Sequence, residues 1–278
     1  MLSPASLYVD LLKKSVLEEL YIENEVRLAY LRSCVAGKEA FQQDVYLDVR
    51  RRWRTAYDEY VRLCDFGMAY GKPMQDLGFQ HTMLNRRRLE NIEFCLERIL
   101  ADRVPGDCIE CGVWRGGAVI FMRGYLAAHQ ITDRNVWVAD SFQGLPLPTL
   151  DQDKDLDMSA ASHPMLAIDL ETVRNLFERY GLLDDQVRFV PGWFKDTLPA
   201  LPVQTLSLLR LDGDLYESTM DGLQALYHRV APGGFVVIDD YGCIPQCRKA
   251  VTDFRAQCGI TEPIQKVDWT AVFWRRSG

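Results

Sequence analysis

The sequence lacks the features that would place the chain across a membrane, outside the cell or on nucleic acid. Its 278 residues contain no run of about 18 apolar residues, the length that a bilayer-spanning helix requires. The first segment, MLSPASLYVDLLKKSVLEELY, carries charges inside its apolar stretch, unlike a secretory signal. The net charge of −7 argues against a general nucleic-acid coat or a binder of anionic membranes. We therefore expect a cytoplasmic protein with neither partner.

A zinc site is not expected either, although the chain has eight cysteines. Without a secretory signal, reduced thiols are favoured over a disulfide framework. Cys108 and Cys111 form a CxxC pair, and Cys243 and Cys247 a CxxxC pair. The first pair lies in a predicted strand, where residues three apart point to opposite faces and cannot chelate one ion. The cysteines are therefore expected to be buried thiols.

The remaining composition, with 48% hydrophobic and 26% charged residues, is that of an ordinary globular chain. Helical periodicity dominates residues 1–75, including a long pattern from about Gln43 to Cys64. From residue 106, strands alternate with helices, which predicts an α/β fold with a mostly parallel sheet and helices on both faces. The predicted strands are Cys108–Gly112, Val136–Asp140, Val187–Pro191, Leu206–Asp212, Phe235–Asp239, Ile264–Val267 and Ala271–Arg275.

A glycine-rich turn, ECGVWRGG, follows the first predicted strand. Such a turn lets the backbone approach a ligand and opens a helix whose N-terminus offers free N–H groups. Its spacing differs from the GxGxxG of dinucleotide-binding proteins. Glu110, ahead of the glycines, suits a ligand that carries an amino group and a ribose. Asp140, after the second strand, is placed to accept hydrogen bonds from ribose hydroxyls, although tight turns and helix caps would use the same residues.

Four carboxylates follow two further strands, Asp212 and Asp214 after one and Asp239 and Asp240 after the other. At neighbouring strand ends they would repel one another unless a cation lay among them. Mg²⁺ prefers oxygen ligands and keeps open positions for water or substrate. The pattern predicts that Asp212, Asp239 and Asp240 chelate while Asp214 projects towards substrate; four independent caps are the alternative.

A second acidic stretch, DQDKDLD, imitates the start of an EF-hand loop. The sixth position of an EF-hand loop should be glycine but is Leu156, and the twelfth should be glutamate but is Ser162. Residues 146–168 are instead interpreted as a polar loop over the active site. His163 in this loop is expected to be solvated, with a contact to substrate as the alternative.

Several longer motifs together resemble the macrocin O-methyltransferase (TylF-type) family. They are GDCIECGVWRGG, VWVADSFQGLP, YGLLDDQVRFVPGWFKDTLP, LLRLDGDLYESTMDGL and APGGFVVIDDYG. The resemblance covers nearly the whole chain, and a helical segment at about 37–65 fits it least well. It implies a Rossmann-like class I methyltransferase fold with a seven-stranded sheet at residues 76–278. Residues 1–75 would be a helical extension that shapes the substrate and oligomer regions.

The family methylates hydroxyls on antibiotic sugars with S-adenosylmethionine and Mg²⁺, so the resemblance implies a glycosylated small-molecule substrate and a homo-oligomer. It implies that Asp212, Asp239 and Asp240 hold the metal and that Asp214 is the general base. The residues implied around the cofactor are Thr82, Met83, Glu110, Gly112, Asp140, Ser141, Trp193 and Asp212.

This implied chemistry agrees with the acid pattern, because an unassisted sugar hydroxyl is a poor nucleophile. A divalent metal lowers the pKa of a bound oxygen, and a neighbouring carboxylate takes the proton. Three alternatives stay open from the sequence. They are a metal-dependent glycosyltransferase that uses the Asp-Gly-Asp motif, a catechol-type methyltransferase and a non-catalytic binding module.

Overall fold

The computed structural model of the chain describes residues 3–66 and 81–278 and divides into two compact units, residues 1–89 and 90–278. The first unit is helical. Its helices are α1 (Pro4–Val16), α2 (Ile22–Val35), α3 (Gln43–Leu47), α4 (Val49–Arg52) and α5 (Arg54–Phe66). The predicted domain boundary after residue 75 lies outside the described residues.

The long helical pattern that begins at Gln43 forms three helices rather than one. The backbone leaves helical geometry at Asp48 (φ −138°, ψ 62°) and at Trp53 (φ −122°, ψ 45°). Asp48 caps the next helix, because its side chain accepts a hydrogen bond from the Arg51 backbone N–H at 3.3 Å. Aspartate competes for backbone donors in this way, which favours a helix start over a helix interior.

The second unit contains a seven-stranded sheet in the order β3-β2-β1-β4-β5-β7-β6. Neighbouring strands are parallel from β3 through β5, and β7 runs antiparallel to both β5 and β6. The strands are β1 (Asp107–Cys111), β2 (Val136–Asp140), β3 (Val187–Pro191), β4 (Leu206–Leu211), β5 (Val230–Ile238), β6 (Gln265–Lys266) and β7 (Val272–Arg275). This sheet confirms the predicted α/β fold.

Further α-helices precede, separate or follow the strands, and those between β1 and β5 connect the parallel strands. They are α6 (Arg86–Ala101), which begins in the first unit, α7 (Gly117–Ala128), α8 (Leu170–Arg179), α9 (Phe194–Thr197), α10 (Tyr216–Leu226) and α11 (Pro245–Cys258). The strand order reverses direction between β1 and β4, and parallel crossovers are right-handed. The helices of the two halves therefore cover opposite faces of the sheet. This reversal is the point at which such sheets bind their ligands, beyond the carboxyl ends of the strands.

The core lies on both sides of the central strands. Every residue of β4 is buried, including the polar Ser207 and the charged Arg210. Two-sided burial is typical of a parallel sheet covered by helices and explains the near-continuous apolar sequence LSLLRL. Among the described residues, no helix is long and apolar enough to cross a membrane.

Candidate active site

The turn after β1 closely approaches the chain after β4. Gly112 has φ +88°, and a Cβ placed on it would overlap the backbone carbonyl oxygen of Asp212. The backbone N–H of Asp212 donates to the carbonyl of Cys111 at 2.9 Å. Only glycine satisfies both the left-handed backbone and this close approach. The predicted cofactor turn and the predicted metal loop are therefore one continuous surface.

Asp140 holds the turns after β1 and β2 together. One carboxylate oxygen accepts from the N–H of Val113 at 2.8 Å, and the other accepts from the N–H of Phe142 at 2.7 Å. Burial raises the pKa of this carboxyl above its ordinary value, while the backbone N–H groups oppose the rise. A carboxylate has about four acceptor positions, so Asp140 retains capacity for a ribose hydroxyl.

Three residues other than glycine adopt left-handed backbone immediately beyond the strands of this edge. They are Trp114 (φ 48°), Phe142 (φ 56°) and Asp214 (φ 56°), which follow β1, β2 and β4 respectively. Such conformations cost on the order of 1–3 kcal/mol each and cluster at functional sites, where the surroundings hold them. The strain points to this edge as a binding surface.

Three carboxylates form a group that could hold a cation. Asp212, Asp214 and Asp240 each offer an oxygen, and these oxygens lie within 4.8 Å of one another. Burial and mutual repulsion raise the pKa of Asp214 to about 8 and that of Asp240 well above its ordinary value. Oδ2 of Asp240 is buried without a hydrogen-bond partner. Clustered oxygen donors with unmet bonding capacity fit a hard divalent ion such as Mg²⁺.

Arg210 lies beneath this group and joins the ends of three strands. Its guanidinium donates to Glu110 of β1, to Asp212 at 2.9 Å and to Asp239 after β5. Only 1% of Arg210 is exposed, and its pKa is raised well above the ordinary value by the three carboxylates, so it stays charged. The register explains the first pair, because Glu110 and Arg210 are Cα partners across β1 and β4.

The three predicted metal ligands therefore do not all belong to the carboxylate group. Asp212 and Asp240 belong to the carboxylate group, together with the predicted base Asp214. Asp239 instead accepts a hydrogen bond from Arg210 at its Oδ1 atom, and its backbone carbonyl accepts from the Thr270 hydroxyl at 2.8 Å. The difference follows from alternation in an extended chain, which turns successive side chains to opposite sides.

The predicted cofactor residues of the second unit lie at the same strand ends. Glu110 is buried, with Oε1 on Arg210 and Oε2 without a hydrogen-bond partner. Burial raises the pKa of Glu110 to about 8, against the opposing effect of Arg210. Ser141 accepts from the N–H of Gln143 at 2.9 Å and donates to the Gly144 carbonyl at 2.6 Å. Trp193 is half-buried at the start of α9, directly after β3.

Thr82 and Met83 belong to the first unit. Thr82 is buried, and its hydroxyl accepts from the N–H of Leu84 at 3.1 Å, immediately before α6. Their contact with the cofactor stays a prediction.

Arg210 and Asp153 are buried charged residues near this site that were not predicted from the sequence. Arg210 could have been singled out from the sequence, since a charged residue inside an apolar strand needs a buried partner. Asp153 lies in the acidic loop, is fully buried and contacts residues 63 and 64 positions further along. Nothing local in the sequence indicates that long-range contact.

Comparison with known proteins gives a consistent assignment. The profile described as macrocin O-methyltransferase (TylF) matches residues 5–276. The chain is 57% identical over 199 residues to 8-demethyl-8-(2,3-dimethoxy-alpha-L-rhamnosyl)-tetracenomycin-C 4'-O-methyltransferase of Streptomyces olivaceus, which covers 71% of this chain and 76% of that protein. It is 54% identical over 202 residues to mycinamicin III 3''-O-methyltransferase of Micromonospora griseorubida, covering 71% and 79%.

Solved structures agree with this result. The O-methyltransferase NovP superposes with a TM-score of 0.78 at 40% identity, covering 99% of this chain and all of that chain. The calicheamicin methyltransferase CalS11 gives a TM-score of 0.56 at 19% identity, covering 76% and 88%. The second likeness supports the fold alone.

Proposed function

Because the chain belongs to the macrocin O-methyltransferase family, and is thereby an S-adenosylmethionine-dependent O-methyltransferase, we propose that it methylates a sugar hydroxyl of a glycosylated natural product in a metal-dependent reaction. One observation carries the proposal. The carboxylate group of Asp212, Asp214 and Asp240 directly adjoins the glycine turn at Gly112. A cation and an activated hydroxyl held there would face a methyl donor bound at the turn.

The names of the relatives support the acceptor class. One relative acts on a rhamnosyl-bearing tetracenomycin and another on mycinamicin III. A third is demethyldecarbamoylnovobiocin O-methyltransferase of Streptomyces niveus, 51% identical over 203 residues. We extend to this chain the shared feature that the acceptor is a natural product of this kind.

Asp212 and Asp240 are the proposed principal ligands of Mg²⁺. Asp239 stays in the proposed ligand set, because it directly follows β5 beside Asp240 and the family resemblance implies it. Bound Mg²⁺ supplies Lewis-acid chemistry, which makes a hydroxyl more acidic and fixes its orientation. Arg210 donates to two of these carboxylates, Asp212 and Asp239.

Asp214 is the proposed general base. Its carboxylate oxygen lies within 4.8 Å of those of Asp212 and Asp240, within reach of a hydroxyl placed between them. As the acceptor oxygen forms its bond to the methyl carbon, the carbon–sulfur bond of the sulfonium breaks and the hydroxyl proton passes to Asp214. The products are the methyl ether and S-adenosylhomocysteine. Holding both reactants in line supplies much of the rate.

The cofactor would lie along the turns after β1, β2 and β3. Asp140 would accept from the ribose hydroxyls while it holds the turns, and Ser141 adjoins it. Trp193 would pack near the adenine. Gly112 allows the backbone to approach, and Oε2 of Glu110 retains acceptor capacity. Thr82 and Met83 complete the proposed set.

We also propose that the enzyme is a cytoplasmic homo-oligomer. The cysteines whose side chains the structure describes are all free thiols, as is usual in a reducing compartment. In the first unit, α1 exposes Leu7 and Leu11 one helical turn apart, with 55% and 53% of each side chain accessible. Large exposed apolar patches mark contact surfaces between protein chains, and these two leucines would belong to such a surface in the oligomer.

A methyl-transfer assay tests the acceptor class. Labelled S-adenosylmethionine is offered with mycinamicin III, with the rhamnosylated tetracenomycin, with their sugar-free aglycones and with a simple catechol. The proposal predicts label in glycosides only, at a sugar oxygen located by fragmentation mass spectrometry. Methylation of the catechol or of the aglycones, with none on any glycoside, would support the catechol-type alternative instead. The family assignment itself decides against glycosyl transfer.

A further inference from the structure

Asp153 caps a helix that lies far from it in sequence. Its Oδ1 accepts from the N–H of Tyr216 at 2.7 Å, and its Oδ2 accepts from the N–H of Glu217 at 2.9 Å. These two residues begin α10, and Asp153 itself is fully buried. The residue in the usual capping position, Leu215, provides no side-chain acceptor. The start of α10 is therefore capped by a tertiary contact rather than a local one.

The capped helix start adjoins the proposed base in the chain. Asp214 precedes Tyr216 by two residues and has a left-handed backbone at φ 56°. Between them, the N–H of Leu215 donates to the carbonyl of Gly213 at 2.6 Å, and Leu215 is fully buried. A strained residue keeps its conformation only while the neighbouring structure holds it. The capped start of α10 is part of the structure next to Asp214.

Asp153 is itself held in place by the loop of residues 146–168. Its N–H donates to the carbonyl of Leu150 at 3.0 Å, and its carbonyl accepts from the N–H of Leu156 at 2.8 Å. Leu156 and Met158 pack against the hydrophobic core. The neighbouring acids Asp151 and Asp155 are exposed. Within DQDKDLD, Asp153 is thus distinguished by burial and by its contacts.

The same loop touches both halves of the proposed site. The hydroxyl of Thr149 donates to a carboxylate oxygen of Glu217 at 2.6 Å, beside the Asp153 contact. Further along, the carbonyl of Met165 accepts from the indole N–H of Trp114 in the turn after β1 at 2.9 Å. A shift of the loop would therefore alter both the helix start next to Asp214 and the turn after β1.

We propose that Asp153 is a positioning residue that couples this loop to the carboxylate of Asp214. The inference rests on the proposed function, because it takes Asp214 as the base. The loop would then serve two purposes, bounding the space above the acids and keeping the base in its left-handed conformation. A cap that only stabilised α10 would affect folding without altering catalysis by the folded enzyme.

Asp153→Asn is the main test variant, because asparagine keeps the size of the side chain but replaces one acceptor oxygen with a donor that faces a backbone N–H. Asp153→Ala removes both contacts. Asp155→Asn makes the same change of charge at an exposed position of the same loop and serves as the matched control. Each is compared with the wild type for kcat, for both KM values and for Mg²⁺ affinity by calorimetry. Amide hydrogen exchange is followed over residues 212–217.

We expect kcat of Asp153→Asn to fall about tenfold to a hundredfold, the usual effect of a small misplacement of a reacting group. The KM for S-adenosylmethionine should change much less than kcat, since Asp153 contacts the start of α10 and not the turn after β1. Mg²⁺ should bind more weakly, and exchange over 212–217 should be faster. Asp155→Asn should match the wild type in every measurement.

Wild-type kcat, Mg²⁺ affinity and exchange in Asp153→Asn would overturn the proposal, even if the variant melted at a lower temperature. If Asp153→Ala does not fold, Asp153→Asn still decides. A wild type that methylates no glycoside would contradict the proposed function instead. In that case exchange over 212–217 still decides whether Asp153 holds this segment.

Discussion

The guanidinium of Arg210 donates to the Asp212 carboxylate at 2.9 Å, so a carboxylate of the proposed metal site also belongs to a buried ion network. The same guanidinium holds Glu110 and Asp239. Glu110, Asp212, Asp214, Asp239 and Asp240 lie close to one another here, and Arg210 is buried among them. The network offsets part of their repulsion and leaves Asp214 and Asp240 to a further cation.

Replacing Arg210 with methionine should destabilise the protein strongly. The change would leave Glu110 and Asp239 buried without their cation, and breaking one partner of such a network costs about 3–5 kcal/mol. The free energy of unfolding, measured by urea denaturation without metal, checks this. Arg179→Met, at an exposed position of α8, is the control and should change it little. Equal stability of the two variants would show that the Arg210 network does not support the fold.

Asp214→Asn should lose most of its activity while it still binds the cofactor. Asparagine cannot take the proton, and removing a general base costs about 10²–10⁴-fold in rate. The measurements are kcat and the affinity for S-adenosylhomocysteine. Asp185→Asn, exposed before β3, should behave as the wild type. A near-normal kcat for Asp214→Asn would assign the base to another residue.

Gly112→Ala should disrupt the site far more than a comparable glycine change elsewhere. Its Cβ would overlap the Asp212 carbonyl oxygen at a φ of +88°. Gly181 also has a positive φ, +65°, but has open space around it, so Gly181→Ala pays only the backbone cost of about 1–2 kcal/mol. Melting temperature and S-adenosylhomocysteine binding distinguish them. Similar losses in both variants would contradict the close packing described at Gly112.

Stability without metal should fall as pH rises. Burial and the charges of Asp212 and Asp239 raise the pKa of Asp214 from 3.8 to about 8. Between these two pKa values, the folded state keeps a proton on Asp214 that the unfolded state has lost. The contribution of this group to the free energy of unfolding is therefore complete below pH 3.8 and declines as the pH rises to about 8. Mg²⁺ must displace the proton, so its affinity should increase over the same range.

Two measurements check this pH dependence. Melting temperatures of the chelator-treated protein are compared at about pH 6 and pH 8, a range in which the folded state still holds a proton that the unfolded state has lost. Calorimetry in buffers of different ionisation enthalpy counts the protons released by Mg²⁺. Binding that releases no protons and has a constant affinity would contradict the raised pKa.

Much of the sheet could be predicted from the sequence, because apolar runs bounded by turns locate buried strands. The bounds of β2 and β3 agree with the predicted Val136–Asp140 and Val187–Pro191. The predicted start of β5 at Phe235 was wrong, because Pro232, Gly233 and Gly234 have the sequence pattern of a turn. The chain stays in the sheet from Val230 because a register shift opposite Ser207 accommodates those residues.

The acid cluster was predictable as a set but not in its arrangement. Parallel strand ends meet at one edge, which brings Asp212, Asp214 and Asp240 together. Which acid faces Arg210 depends on side-chain direction beyond the strand ends, and spacing alone did not assign Asp239 to that partner. The cap by Asp153 depends on a contact across 63 positions, for which local sequence has no signal.

The most direct test of metal-dependent methyl transfer is the initial rate on a glycoside acceptor by enzyme freed of metal with EDTA, followed during titration with Mg²⁺. We expect almost no methyl ether without metal and saturable recovery as Mg²⁺ is added, with no recovery in Asp240→Ala. A full rate in the thoroughly chelated enzyme would contradict this expectation.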